Sequence, residues 1–235
     1  MKEASRSQDW SKLLGMRRKL IGCATVIEEM APFLPADVPS EVLDFGLHLR
    51  PEGLRSMLQQ RIDEVSPEVD VILLGYGLCS MAVAGLMARS AYLVIPRTDD
   101  CISLFLGSSA AYQDQHRLEP GTYYLTKGWI EVGDTPFSDH QRMVEKFGPE
   151  RAERMTALTL KNYQRLALIN TGQKDIERYR EYAQKTAAAF HLRFDEIEGS
   201  PALVKKLIFG PWDQDVVVVE PGQRVHFEDF LRLMP

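Results

Sequence analysis

The chain has 235 residues, 28 Lys+Arg against 33 Asp+Glu for a formal net charge of −5, and 45% hydrophobic and 26% charged residues. That is globular composition, enough for one large domain or two small ones at roughly 100–200 residues each, and it excludes collagen-like, low-complexity and disordered chains. No surplus of positive charge exists to meet a phosphate backbone, and the densest basic cluster is only Arg17-Arg18-Lys19, so no nucleic-acid partner is expected.

Residues 1–18 are polar and without a sustained period, which predicts a flexible or loosely docked tail. Leu20-Ile21-Gly22-Cys23 mimics a lipoprotein cleavage box. Export needs an apolar core of about 7–15 residues before such a box, whereas Gly15-Met16-Arg17-Arg18-Lys19 precedes this one, so Cys23 is expected to remain in the chain. Short apolar runs then predict strands at Leu20–Val26, Val42–Phe45, Val69–Leu74, Tyr92–Ile95, Leu166–Asn170, Phe194–Ile197 and Val216–Val219. None approaches the ~20 residues that cross a bilayer, so no membrane partner is expected.

Amphipathic stretches fall between these runs. Leu54, Leu58, Ile62 and Val65 recur at helical spacing after Pro51, and Ile176, Tyr179, Ala183, Ala187 and Phe190 do so later. Ser138 to Tyr163 is highly charged and reads as one or two exposed helices that cover or link two halves. Strand–helix alternation predicts an α/β protein, a Rossmann-like three-layer fold with a mainly parallel sheet. After the tail, residues 19–235 are expected to form one α/β domain, with room for two similar halves, 19–127 and 163–235, joined by a helical connection over 128–162.

Ligands of open α/β sheets bind beyond the carboxyl ends of the strands. Cys23 lies near the end of the first strand, Cys79 follows the third in Gly75-Tyr76-Gly77-Leu78-Cys79, and Cys101 follows the fourth in Pro96-Arg97-Thr98-Asp99-Asp100-Cys101. His48 occupies the matching place after the second strand. An odd number of cysteines is no disulfide framework, so free or metal-bound thiols in a reducing cytoplasm are expected. Cys23, Cys79, Cys101 and His48 are the candidate metal ligands, and thiolates select zinc or a [4Fe-4S] cluster over magnesium or calcium. No CxxC pair supports this locally; the support is topological, and the bland reading of each cysteine is a small buried hydrophobe. Unclustered cysteines lean the choice toward zinc as a Lewis acid.

A rival reading places a nucleophile elbow at Cys79, followed by a small-residue helix over Ala82-Val83-Ala84-Gly85-Leu86 whose dipole would lower the thiol pKa. Asp100 is the candidate acid or base beside it. Arg97 is a candidate clamp for a carboxylate or phosphate, Gly107, Ser108 and Thr122 candidate anion-loop residues, Gly77 part of the tight turn, and Tyr76 and Trp129 candidate platforms for a flat ligand. No G-x-G-x-x-G or P-loop motif is present, so nucleotide binding has no motif behind it.

Taken together, the runs Ile21-Gly22-Cys23, Leu43-Asp44-Phe45-Gly46-Leu47-His48, Gly75-Tyr76-Gly77-Leu78-Cys79, Pro96-Arg97-Thr98-Asp99-Asp100-Cys101-Ile102, Leu106-Gly107-Ser108 and Pro120-Gly121-Thr122-Tyr123-Tyr124-Leu125-Thr126-Lys127-Gly128-Trp129 resemble a prokaryotic domain-of-unknown-function family. Its members tend to be encoded beside corrinoid-dependent methyltransferases, so the resemblance implies a small-molecule substrate in one-carbon metabolism and a corrinoid protein or methyltransferase as partner. A homo-oligomer is compatible with it. The family usually has a histidine where this chain carries Asp99, which takes that position out of the ligand set. The expectation is a metal-binding protein serving corrinoid-linked methyl transfer. The alternatives are a cysteine hydrolase or amidotransferase on Cys79 and a non-catalytic corrinoid- or partner-binding accessory protein.

Overall fold

The computed structural model describes residues 9–44, 50–132 and 135–231, so His48 lies outside the described residues. In chain order the elements are β1 (Arg18–Cys23), α1 (Ala24–Met30), β2 (Ser40–Leu43), α2 (Pro51–Val65), β3 (Val71–Gly75), β4 (Tyr92–Pro96), α3 (Ile102–Leu106), α4 (Ser109–Leu118), β5 (Thr122–Leu125), α5 (Lys127–Val132), α6 (Pro136–Phe147), α7 (Pro149–Leu160), β6 (Arg165–Asn170), α8 (Ile176–Ala189), β7 (Arg193–Glu198), α9 (Ala202–Phe209) and β8 (Val216–Val219). They form two compact units, one of residues up to 109 together with those from 200 onward, the other of residues 110–199. The division therefore falls at 109/110 and 199/200, not across 128–162, and the first unit is discontinuous in sequence.

The first unit holds a five-stranded sheet in the order β2-β1-β3-β4-β8, parallel throughout except for β8, which runs antiparallel to β4. Every residue of β3 is buried, as a central parallel strand covered on both faces requires. The β1 run ends three residues earlier than its apolar pattern suggests, because Ala24 already opens α1. The reason lies in a glycine pair. Gly22 and Gly75 are register partners on β1 and β3. A Cβ on Gly75 would stand 3.0 Å from Val26 Cγ1, and one on Gly22 would stand 3.0 Å from Ile27 Cδ1. The two bare positions let the first turn of α1 lie down on the strands at once.

On α2 the four residues at helical spacing, Leu54, Leu58, Ile62 and Val65, are the buried ones, and Pro51 occupies the first turn. The stretch before β1 is docked rather than loose from Trp10 onward. Leu13 is fully buried in a 3-10 turn over Ser11–Gly15, and Trp10 meets Tyr92 edge-on. At the outer strand β2, Glu41 accepts from Lys19 of β1 at 2.8 Å and from Arg61 of α2, tying helix to sheet edge.

The second unit holds an all-parallel sheet in the order β5-β6-β7. Its core gathers Leu125, Phe137, Leu160, Leu166, Leu168, Tyr179, Ala183 and Ala187. The charged stretch after residue 135 forms α6 and α7, started by a Thr135–Ser138 capping box with Pro136 in the first turn and divided at Gly148, whose φ is +80°. Because Phe137 and Leu160 bracket this pair and enter the core, the segment is part of the unit rather than a connection between halves. Strand β5 is an addition to the predicted set, in a place the Glu119-Pro120-Gly121 turn signal masks. Buried Arg165 fixes it from beneath, donating to Thr122 Oγ1 (2.8 Å), Gln115 Oε1 (2.9 Å) and Asp195 Oδ2 (3.2 Å).

Two measurements check these accounts. Leu168→Ala on the fully buried β6 should cost about 2–5 kcal/mol, read as a lower urea midpoint, since a cavity replaces a core side chain. The Glu41 carboxyl is held down from 4.5 to about 2, chiefly by Arg61 and then by Lys19, against the opposing effect of burial. A depressed folded value gives stability that is complete above the unfolded value and lost as pH falls from about 4.5 toward 2. Glu41→Gln should therefore flatten this part of the acid-unfolding curve, by on the order of 1 kcal/mol once solvent screening is allowed for.

Candidate functional site

In the first sheet the chain runs from β1 outward to β2, then returns to β3 on the other flank of β1. The order reverses between β1 and β3, and a crevice opens beyond the carboxyl ends at such a reversal. Cys23 closes β1 there. One register step past the Gly22–Gly75 pair on the neighbouring strand stands Tyr76, with only 1% of its surface exposed.

Beyond the sheet, the β3 and β4 exits stay zipped together. The Leu78 amide donates to the Thr98 carbonyl at 2.7 Å and the Cys79 amide to the Asp99 carbonyl at 2.8 Å. Gly77 makes this approach possible, since a Cβ there would lie 2.4 Å from Thr98 Oγ1 and 2.6 Å from the Thr98 carbonyl. The zipper brings Cys79 beside the Asp99-Asp100-Cys101 turn. Asp100 accepts from the Ile102 amide at 2.9 Å and also from the Ser103 amide, so it caps the start of α3 just after Cys101.

Burial is the first cause of a raised pKa at all three thiols. Burial pushes Cys23 up, partly offset by the Val26 and Thr25 amides directed at its sulfur. Burial is also the first cause for Cys79, followed by Cys23 and Asp100, with the Gly77 amide pulling back. Cys101 is raised by burial and then by Cys23, Cys79 and Asp100. Tyr76 is raised by burial and by all three cysteines. Asp100 is itself raised, by burial first and by Asp99 last, against its two amide bonds. Cys79 as a residue is half-buried, yet its sulfur is desolvated like that of Cys101.

Three buried hydroxyls without a hydrogen-bond partner flank the cysteines in sequence: Thr25 two residues after Cys23, Ser103 two after Cys101, and Thr98 in the zipper. Sequence reading missed them, because a Thr or Ser in a first helical turn carries no signal of its own. Among the described residues, no three His, Cys, Asp or Glu side chains are gathered closely enough to hold a metal ion.

The turn carrying Cys79 departs from its predicted form. Cys79, Ser80 and Met81 all have left-handed φ, at 46°, 53° and 72°. No helix follows, and residues 79–85 are turns and bends. The Ala82 and Val83 amides close local turns onto the Cys79 and Leu78 carbonyls and Gly85 N–H donates to the Val225 carbonyl, so the expected helix dipole is missing and the thiol pKa goes up rather than down.

The remaining candidates divide between the units. Arg97 is half-buried at the β4 exit, its amide bonded to the Asp215 carbonyl and its own carbonyl to the Ser109 hydroxyl. Gly107 ends α3 with φ +85°, and a Cβ there would sit 2.5 Å from Ser200 Cβ, so a close approach of backbones accounts for it; Ser108 beside it is half-buried. Thr122 and Trp129 belong to the second unit. There Thr122 accepts from Arg165 and Trp129 packs on the core, so the structure does not assign them to the thiol site.

One family model, described as a protein of unknown function (DUF1638), matches residues 42–208, a span that contains Cys79 and Cys101 but begins after Cys23. No curated protein and no solved structure matches the chain. Among the described residues no helix is long and apolar enough to cross a membrane.

At pH 7.5 in the folded protein, all three cysteines should react with iodoacetamide at least tenfold more slowly than in denaturant, with rates that keep climbing well above pH 9. A raised pKa withholds the thiolate by a factor of ten per unit. Peptide-level mass spectrometry across a pH series checks this, and labelling at the rate of a free thiol at pH 7.5 would contradict it.

Proposed function

Given that the chain belongs to the DUF1638 family, we propose that its first unit binds a soft metal through Cys23, Cys79 and Cys101 and serves corrinoid-linked methyl transfer. The observation that carries the reading is the placement of Cys23 at the end of β1 and of Cys79 and Cys101 on the zippered exits of β3 and β4, at the sheet edge where the strand order reverses. Zinc is favoured over a [4Fe-4S] cluster, with His48 as a fourth ligand; the Rossmann-like likeness rests on the same strand order. Thiolate-held zinc supplies Lewis acidity that lowers the pKa of a substrate thiol until it accepts an alkyl group.

The chain's own residues would do the rest. The hydroxyls of Thr25, Thr98 and Ser103 offer O–H donors that neutral apolar packing leaves idle and that sulfur anions would engage. Asp100, raised by burial, can hold a proton close to Cys79 and Cys101. Since the thiols are not gathered to bonding distance, metal capture needs the Cys79 turn to close on the other two. Three successive left-handed residues, each costing about 1–2 kcal/mol, make that turn the part most ready to move. The same strain is what favours the second reading, a Cys79 nucleophile, since strained backbone gathers at reactive residues.

Elemental analysis and a visible spectrum on protein purified without oxygen, beside the Cys23→Ser/Cys79→Ser/Cys101→Ser triple variant, test the proposal. Near-stoichiometric zinc that vanishes in the variant is the expected result. A brown chromophore with iron would select the cluster, while a colourless, metal-free protein whose activity falls only with Cys79 would replace this reading with the nucleophile. Retained binding of a corrinoid protein by the triple variant would point instead to an accessory role.

A further inference from the structure

A second feature of the first unit lies next to the Cys79 turn and has no part in the thiol site. An open groove of about 590 Å³ runs between α2 and the 85–89 and 224 segments. Its acids are spoken for: Asp63 is bridged by Arg89 at 2.7 and 3.2 Å, and Glu64 is paired with Arg61. Its other two arginines have no carboxylate partner among the described residues. Arg55 Nη2 donates to the Met81 carbonyl at 2.7 Å, and Arg224 Nη1 donates to the Gly85 carbonyl at 2.8 Å. Two guanidinium groups thus line one cleft, each holding only a neutral backbone oxygen of the same irregular segment.

Hydrogen bonds from a guanidinium to a phosphate oxygen are roughly twice as strong as those to a neutral carbonyl, and the planar fork matches two phosphate oxygens at once. An arriving phosphate therefore outcompetes both carbonyls. We propose that this groove binds a phosphate group, inorganic or carried by a small molecule, between Arg55 and Arg224. Binding draws Arg55 away from the Met81 carbonyl and releases the left-handed Cys79-Ser80-Met81 turn. Met81 is the last residue of that turn, and the Arg55 bond is the side-chain tie from α2 that closes it. The phosphate binding does not rest on the thiols holding a metal, because Arg55, Arg224 and the Met81 and Gly85 carbonyls lie outside them.

The test uses the full chain and inorganic pyrophosphate. Calorimetric titration should give binding that weakens with added salt, as exposed charge pairs do, and that Arg224→Gln reduces at least tenfold. In parallel, Cys79 alkylation by iodoacetamide, followed by peptide mass spectrometry, should rise several-fold with pyrophosphate and not with sodium chloride at equal ionic strength. Arg55→Gln should label fast without any anion and gain nothing from it. Arg224→Gln should keep the slow basal rate and lose the response. A nucleoside diphosphate in place of pyrophosphate identifies the source, equal potency meaning that the phosphates alone are read. No binding heat, an equal effect of chloride, or a slow basal rate in Arg55→Gln would overturn the proposal, while metal analysis of the same preparations reports on the thiol reading separately.

Discussion

Everything near the candidate site depends on two glycines facing each other across β1 and β3. With a side chain at Gly75 the new Cβ would stand 3.0 Å from Val26 and 3.4 Å from Gly22 Cα, so α1 would have to rise off the sheet. With neither side chain, α1 begins directly after β1, and Cys23 is held at the junction with Thr25 and Val26 amides turned toward its sulfur. A longer connection would carry Cys23 out into a solvated loop. The close packing keeps it desolvated beside Tyr76, at the point where the strand order reverses.

Gly77 repeats the device one layer further out. Its missing Cβ lets the β3 exit lie against Thr98, and two amide-to-carbonyl bonds then prolong the β3–β4 pairing past the last sheet residue. That extension is what draws Cys79 and Cys101 together, although 22 residues separate them. Asp100 completes the arrangement by capping α3 with its carboxylate. Asp100 is thereby committed to backbone donors, which limits its freedom as a mobile general base and suits it to positioning Cys101.

Much of this is legible in the sequence. Short apolar runs mark seven of the eight strands among the described residues, and several of them are continuous, because strands covered on both faces need no polar alternation. The placement of Cys79 and Cys101 beyond strand ends, and of Cys23 near one, follows from the same runs. The failures have local causes. Strand β5 was hidden by the turn chemistry of Glu119-Pro120-Gly121, and its polar opening residue Thr122 is paired with Arg165, a partner 43 positions away that no local pattern reveals. The helix expected after Cys79 looked convincing because Ala82, Val83, Ala84 and Leu86 are small or apolar. Long-range partners instead hold the end of this segment, Val225 by main chain at Gly85 and Leu86 and Arg224 by side chain at Gly85, and Gln59 and Gln223 hold Met87 and Ala88 just after it. Tertiary competition of this kind leaves no trace in composition, and the same holds for the three idle hydroxyls.

The electrostatics weigh differently on the two readings of the cysteines. A nucleophilic thiol needs a depressed pKa, from a helix N-terminus, a cation or a base. Here Cys79 has lost the expected helix, lies near Asp100 and Cys23, and is raised by all of these together with burial. For lone-thiol catalysis, each neighbouring sulfur and carboxyl therefore works against the reactive form. For a soft cation the same neighbours act in the opposite sense, since a metal's own charge inverts the local pKa order and every nearby thiol becomes an additional ligand rather than an additional repulsion. Burial also reverses its role, because a dry, hydroxyl-lined edge strengthens each bond to the ion once the charge is compensated. The arrangement is costly for one thiolate, and a cation among the three would offset that cost; this asymmetry is why the proposal sets the metal above the strained nucleophile.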